Sequence, residues 1–111
     1  MPKLIDEAHL HATAEFKELT PEIQEAYKNY HRAVFADGAL DKKTKELIAF
    51  AVGSAIQCEY CVETHSEKAL AYGATKKELN EALHVAVAIN AGATISHGLR
   101  AYKKEETGKK L

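Results

Sequence analysis

Apolar residues in this chain recur three and four positions apart and seldom alternate with polar ones. A spacing of three and four places side chains on one face of an α-helix, whereas alternation is typical of a β-strand. The pattern predicts an all-α protein, a compact bundle of about five to six helices. Because 111 residues can close one core but not two ordinary ones, we expect a single domain over residues 1–111.

Capping residues and helix breakers divide the N-terminal half into three helices. The first is predicted from about Asp6 to Leu19, and Thr20-Pro21 begins a second helix that ends at Asp37-Gly38. Asp41 is a suitable cap for the third helix, in which apolar residues leave almost no polar face. We therefore expect the third helix to be central and buried.

Two further helices are predicted in the C-terminal half. One begins near Cys58 and ends at Tyr72, because Gly73 can adopt the left-handed conformation that terminates helices. The segment Thr75-Lys76-Lys77-Glu78 is a capping box and predicts the start of the next helix. We expect that helix to bend or make a close contact at Gly92.

The last predicted helix continues toward Tyr102, and the segment from Lys103 to Leu111 is expected to be frayed and solvated. From Lys76 onward this helix has more apolar surface than a monomer of this size can hide, so we expect self-association. The many alanines and the absence of tryptophan also limit the area that one chain can bury.

Charge and hydropathy exclude several classes of partner. The 15 Lys and Arg residues nearly balance the 16 Asp and Glu residues, and no basic stripe with aromatic residues indicates nucleic-acid binding. The N-terminus has no signal-peptide pattern, and the apolar runs are expected to be too short and too interrupted to span a membrane. We therefore expect a cytoplasmic protein.

The two cysteines of the chain lie together in Cys58-Glu59-Tyr60-Cys61, and His65 follows. On a helix, Cys58, Cys61 and His65 share one face. In a reducing compartment a close cysteine pair indicates a catalytic or metal-binding site more often than a structural disulfide.

Redox chemistry fits this face well. His65 can take a proton from a thiol and activate the sulfur as a nucleophile. After one cysteine has reduced a peroxide and become a sulfenic acid, the other can condense with it to a disulfide. We expect Cys61, one turn from His65, to attack the peroxide and Cys58 to resolve the intermediate. The amide groups at the helix start favour a thiolate at Cys58 as well, so the two cues compete.

Simpler interpretations remain open. The cysteines could be small buried apolar residues, or Cys58, Cys61, His65 and Glu46 could bind zinc in a non-catalytic module, although structural zinc sites usually have a second knuckle or histidine. By itself Glu46 would be expected to be an exposed helix carboxylate. Tyr60 is expected to be a packing residue that could donate a proton. His9, His11 and His31 are expected on surface faces, and His84 and His97 within apolar helix surface.

The pattern Glu46-x11-Cys58-x2-Cys61-x3-His65, with Gly73 beyond it, resembles the alkylhydroperoxidase D-like core of the carboxymuconolactone decarboxylase family over about Thr20 to Gly98. The resemblance implies an all-helical homo-oligomer, a trimer or hexamer, with peroxidase or thiol–disulfide oxidoreductase activity and an antioxidant role. It implies that Glu46 and His65 relay protons to the cysteine pair. On a straight helix Glu46 would lie roughly 18 Å from Cys58, so the relay requires a break near Gly53-Ser54 or a crossing of helices.

The partners implied by the resemblance are a hydroperoxide substrate and a dithiol reductant of the lipoyl or thioredoxin type, with no cofactor and no bound metal. Two features differ from the prototype peroxidase, which has a histidine at the position of Tyr60 and a longer N-terminal half. The decarboxylase branch generally lacks the cysteine pair, so a lactone decarboxylase is the less favoured alternative.

Overall fold

The structure, a computed structural model, describes residues 6–107, with side chains described for residues 6–103. It confirms the all-α prediction, since these residues form helices, turns and bends and no strand. The helices are α1 (Glu7–Leu19), α2 (Pro21–Phe35), α3 (Lys42–Ala55), α4 (Glu59–Ala71), α5 (Lys76–Gly98) and α6 (Arg100–Thr107).

The predicted caps of α3 and α5 form their hydrogen bonds, whereas Thr20 at the start of α2 makes no side-chain cap hydrogen bond. The Asp41 carboxylate accepts a 2.8 Å hydrogen bond from the Thr44 amide at the start of α3. Thr75 and Glu78 form both hydrogen bonds of the capping box at the start of α5. Gly73 has a φ of 97° just after α4, in the left-handed region where glycine carries no Cβ penalty. Local chemistry therefore fixes the ends of these helices.

The C-terminal predictions need correction. α5 continues through Gly92, where an added Cβ would meet nothing within 4 Å in this chain, so the close contact expected there is absent within the described chain. The helix ends at Gly98, and a turn at Leu99 separates it from α6. Residues 103–107, expected to fray, belong to α6, while residues 108–111 lie outside the described part of the chain.

Helix α3 is the central element and packs mainly against α4 and α5. The Lys43 ammonium and the Glu78 carboxylate, 2.9 Å apart, join α3 to the start of α5. Hydrogen bonding to Lys43, helped by the Thr75 amide, holds the pKa of the Glu78 carboxyl below its usual range. The carboxylate therefore stays ionised and serves both the cap and the cross-link at neutral pH.

The expectation that α3 is buried holds for only part of the helix. Phe50 and Gly53 are buried, but Ile48, Val52 and Ile56 are 46%, 53% and 69% exposed. The apolar pattern covers more of the α3 surface than α4 and α5 can cover. One face of α3 consequently remains open to solvent within the single chain.

Helices α1 and α2 form an arm that contacts the rest of the chain sparsely. No residue of either helix is buried. Helix α2 makes few contacts with α3. The radius of gyration is 19.1 Å, against about 13 Å for a compact chain of this length. Helices α3 to α5 therefore form the compact part of the protein. The described chain as a whole is elongated.

The helical stretch Lys76–Lys103 has the length and composition of a membrane span and is not buried in the described chain. The expectation that every apolar run would be too short was therefore too strict. Length and composition of this kind are also found in packing helices of proteins that never enter a bilayer.

Helix α3 approaches α4 closely at Gly53. A Cβ added at Gly53 would lie 2.8 Å from the Cys61 Cβ, so no larger residue fits without moving one helix. Gly53 is buried inside α3, where glycine is otherwise unfavourable. The close approach therefore gives a physical reason for glycine at this position.

We predict that Gly53→Ala destabilises the oxidised protein by about 1–3 kcal/mol, because the added methyl group forces α3 and α4 apart. In an ordinary helix interior the same change stabilises by about 1 kcal/mol. Urea denaturation measures the difference. Gly38→Ala is the matched control, since its Cβ would make an ordinary 3.7 Å contact with Lys45. A Gly53→Ala protein at least as stable as wild type would contradict the close approach.

Candidate redox site

The turn between α3 and α4 reverses the chain through a Schellman motif. Gln57 has a φ of 59°, the left-handed conformation usually taken by glycine in this motif. The Gln57 amide donates to the Ser54 carbonyl at 3.2 Å, and the Cys58 amide donates to the Gly53 carbonyl at 2.8 Å. The turn thereby directs α4 back across α3.

Cys58 occupies the N-cap of α4, where its Sγ accepts a 3.2 Å hydrogen bond from the Cys61 amide. The two cysteines form a disulfide with their Cα atoms 5.2 Å apart. Both residues are partly exposed, so the bond is accessible to small molecules or to another thiol. Because the two sulfurs are bonded, the C-x-x-C segment is in its oxidised form in this structure, and the spacing of the two cysteines permits the disulfide.

The crossing of α3 and α4 brings Glu46 to His65. The Glu46 Oε2 lies 2.5 Å from the His65 Nδ1, and their side chains are 4% and 13% exposed. Glu46 is therefore not the exposed carboxylate that its sequence position alone would suggest. A buried carboxylate requires a hydrogen-bonding partner, which His65 supplies.

The contact restricts the tautomer of the imidazole. An ionised carboxylate can only accept hydrogen bonds, so with Glu46 ionised the contact requires the tautomer of His65 that carries a proton on Nδ1. This leaves Nε2 as the nitrogen that can exchange a proton with another group. Glu46 also stabilises the positive charge that the ring acquires when Nε2 is protonated.

A pocket of about 440 Å³ opens beside the site, with Cys61 and His65 in its lining. Cys58 and Tyr60 do not line it, and Tyr60 is exposed on α4. Of Cys58, Tyr60, Cys61 and His65, only Cys61 and His65 therefore line this pocket. Its walls are mostly apolar and comprise Val34, Phe35, Leu40, Lys45, Ile48, Ala49, Val52, Gly53 and Ile56.

Sequence reasoning missed Phe35, whose ring stacks on the His65 imidazole. The ring centroids are 5.2 Å apart and the planes differ by 8°. The His31 ring also contacts Phe35, with the centroids 4.7 Å apart, and His31 is partly buried. The spacing of four between Tyr27, His31 and Phe35 on α2 was the signal available in the sequence.

Within the described residues, no three His, Cys, Asp or Glu side chains converge in a metal-binding arrangement. The Cys58 and Cys61 sulfurs bond to each other, and zinc coordination by this pair would require both as thiolates. The site combines a bonded pair of sulfurs with a buried carboxylate–imidazole pair.

Comparison with known proteins assigns the chain to a family. The profile of the carboxymuconolactone decarboxylase family matches residues 21–104, and the chain belongs to this family. A protein of the cox locus of Paracoccus denitrificans is 46% identical over 79 residues, 71% of each chain.

Two crystal structures from the family are similar to this chain. A protein from Legionella pneumophila has a TM-score of 0.68 at 37% identity, with 91% of this chain and 90% of that one covered. A protein from Thermotoga maritima, for which a part in the antioxidative response has been suggested, has a TM-score of 0.57 at 31% identity, covering 75% and 86%.

We predict that His65→Ala destabilises the protein by about 3 kcal/mol, because it leaves the buried Glu46 carboxylate without its partner. Adding Glu46→Gln to His65→Ala should recover part of this loss, since a neutral amide costs less to bury than a charge. Chemical denaturation measures both effects. Glu67→Gln, a change of an exposed α4 carboxylate, is the matched control and should recover nothing in the same background. A double variant less stable than His65→Ala would contradict the buried pair.

Proposed function

We propose that this protein is a cysteine-based peroxidase, an oxidoreductase that reduces hydroperoxides by cycling Cys58 and Cys61 between dithiol and disulfide. One observation carries the proposal: the pocket that contains Cys61 also contains His65, whose other nitrogen is paired with a buried carboxylate. A sulfur nucleophile and a proton-transfer group therefore face one substrate space.

In the first step the Cys61 thiolate attacks an oxygen of the hydroperoxide. The S–O bond forms as the O–O bond breaks, Cys61 becomes a sulfenic acid, and the remaining oxygen leaves as an alkoxide. Protonated His65 gives its Nε2 proton to this oxygen, and an alcohol is released. Glu46 orients the imidazole and stabilises its charged form before the transfer.

In the second step Cys58 resolves the sulfenic acid. Its sulfur bonds to the Cys61 sulfur, and the sulfenic hydroxyl leaves with the Cys58 thiol proton as water. A cytoplasmic dithiol of the lipoyl or thioredoxin type then reduces the disulfide by exchange, becoming a disulfide itself. Cys58 suits the attack by this reductant because it lies at the partly exposed start of α4 and outside the pocket.

The pocket favours hydroperoxides with an apolar body. Its walls are largely aliphatic and its volume is about 440 Å³, so burial of a hydrocarbon group would contribute to binding. Lys45 is the lysine of the lining, and its ammonium donates a 2.6 Å hydrogen bond to the Ala36 carbonyl. Decarboxylation of a lactone has no use for the Cys58–Cys61 pair, so it is the weaker candidate.

The test is consumption of cumene hydroperoxide in the presence of dihydrolipoamide. Wild type should turn over, and Cys61→Ser should lose peroxide reduction altogether. Reduced Cys58→Ser, freed of the dithiol, should reduce about one equivalent and stop. Dimedone should then trap a sulfenic acid on Cys61 in Cys58→Ser. Equal activity in wild type and both variants would contradict the proposal. An adduct on Cys58 in Cys61→Ser, with none on Cys61, would reverse the two roles.

We also propose that the protein is a homo-oligomer. The chain has 9143 Å² of accessible surface, against about 6,000 Å² for a compact protein of its mass. α5 has no buried residue, and Val85, Ile89 and Ile95 are each more than 60% exposed. Packing of α5 and of the α1–α2 arm against other copies would cover this surface, which favours a soluble trimer or hexamer over a membrane span.

We predict a stable oligomer by light scattering at micromolar concentration, and dissociation in Ile89→Glu, because the new charge would be buried in the interface. Asn80→Glu adds the same charge to an exposed position on the opposite side of α5 and should leave the mass unchanged. A wild-type protein that remains monomeric would contradict the proposed assembly.

A further inference from the structure

The His65 imidazole is held in two directions. Within the ring plane, the Nδ1 is 2.5 Å from the Glu46 carboxylate. Against the ring face, Phe35 stacks nearly parallel with centroids 5.2 Å apart. The first contact comes from α3 and the second from the last residue of α2. Two elements other than its own helix therefore define how this ring lies.

A hydrogen bond to a carboxylate does not by itself fix the orientation of an imidazole. The ring can tilt about the line joining Nδ1 to the carboxylate oxygen with little change in that bond, and Nε2 then moves. A flat aromatic surface parallel to the ring opposes this tilt, because stacked contact is lost as the planes diverge. The stacking partner therefore determines where Nε2 lies.

Phe35 is itself well placed to impose an orientation. The residues that follow it are tied to α3, since the Ala36 carbonyl accepts a hydrogen bond from Lys45 and the Asp37 carboxylate accepts one from the Lys42 amide at 2.9 Å. The Phe35 ring also contacts the His31 ring one turn earlier on α2. The end of α2 is thus anchored even though the rest of the α1–α2 arm makes few contacts.

We propose that Phe35 is a positioning residue of the proton relay: its ring fixes the orientation in which His65 bonds to Glu46 and offers Nε2 to the pocket. The kinetic consequence rests on the proposed peroxidase function. Because Phe35 also lines the pocket, a role in substrate binding alone is the competing explanation. The two roles differ in which substrates they affect.

If Phe35 positions His65, Phe35→Leu lowers kcat roughly three- to tenfold for hydrogen peroxide as well as for cumene hydroperoxide. Hydrogen peroxide is too small to depend on the apolar walls. Phe35→Tyr retains the planar ring and should restore kcat. Val52→Ala provides the comparison for substrate binding, because Val52 lines the same pocket outside the ring stack, and its effect should appear as a raised KM for cumene hydroperoxide.

An NMR measurement tests the position of the ring without any turnover. The Phe35 ring current should shift the carbon-bound His65 protons upfield in wild type and in Phe35→Tyr, and this shift should disappear in Phe35→Leu. Unchanged His65 resonances in Phe35→Leu would overturn the proposal. So would a loss of activity confined to the KM for cumene hydroperoxide. If wild type consumes no peroxide, the proposed function fails, while the resonances still decide the role of Phe35.

Discussion

The buried contact between Glu46 and His65 is the interaction on which the site depends. A carboxylate with 4% of its surface exposed needs a partner, and a partner on another helix requires that α3 and α4 cross closely. Gly53 allows that approach, and the Schellman turn at Gln57 returns the chain so that α4 can make it. The same turn ends at Cys58, so the segment that positions His65 also positions the cysteine pair.

Much of the fold could be predicted because its determinants are local. The cap at Asp41, the capping box at Thr75 and the left-handed glycine at Gly73 act within one turn of the chain, and sequence shows them directly. The closeness of Cys58 and Cys61 follows from their spacing at the start of α4, because an N-cap side chain lies against the first turn of its helix. The spacing of these residues with Glu46 and His65 predicted the family, and the profile match over residues 21–104 shows it.

Other features could not be predicted because they depend on contacts between distant elements. Nothing local distinguishes Glu46 from an exposed helix carboxylate, and only the crossing of α3 with α4 buries it. The Phe35 stack requires the end of α2 to reach α4. The exposed face of α3 was assigned to the core because apolar patterning reports which surfaces avoid water, not whether the same chain or another copy covers them.

The most direct test of the relay is a double-mutant cycle on peroxide turnover. If Glu46 acts through His65, as we propose, Glu46→Gln and His65→Ala should each lower kcat, and the double variant should be little slower than the slower single variant. Reduced protein should be used, with cumene hydroperoxide saturating and stability checked for each variant. Multiplicative losses would mean that the two residues act independently. Unchanged turnover in Glu46→Gln would contradict the relay outright.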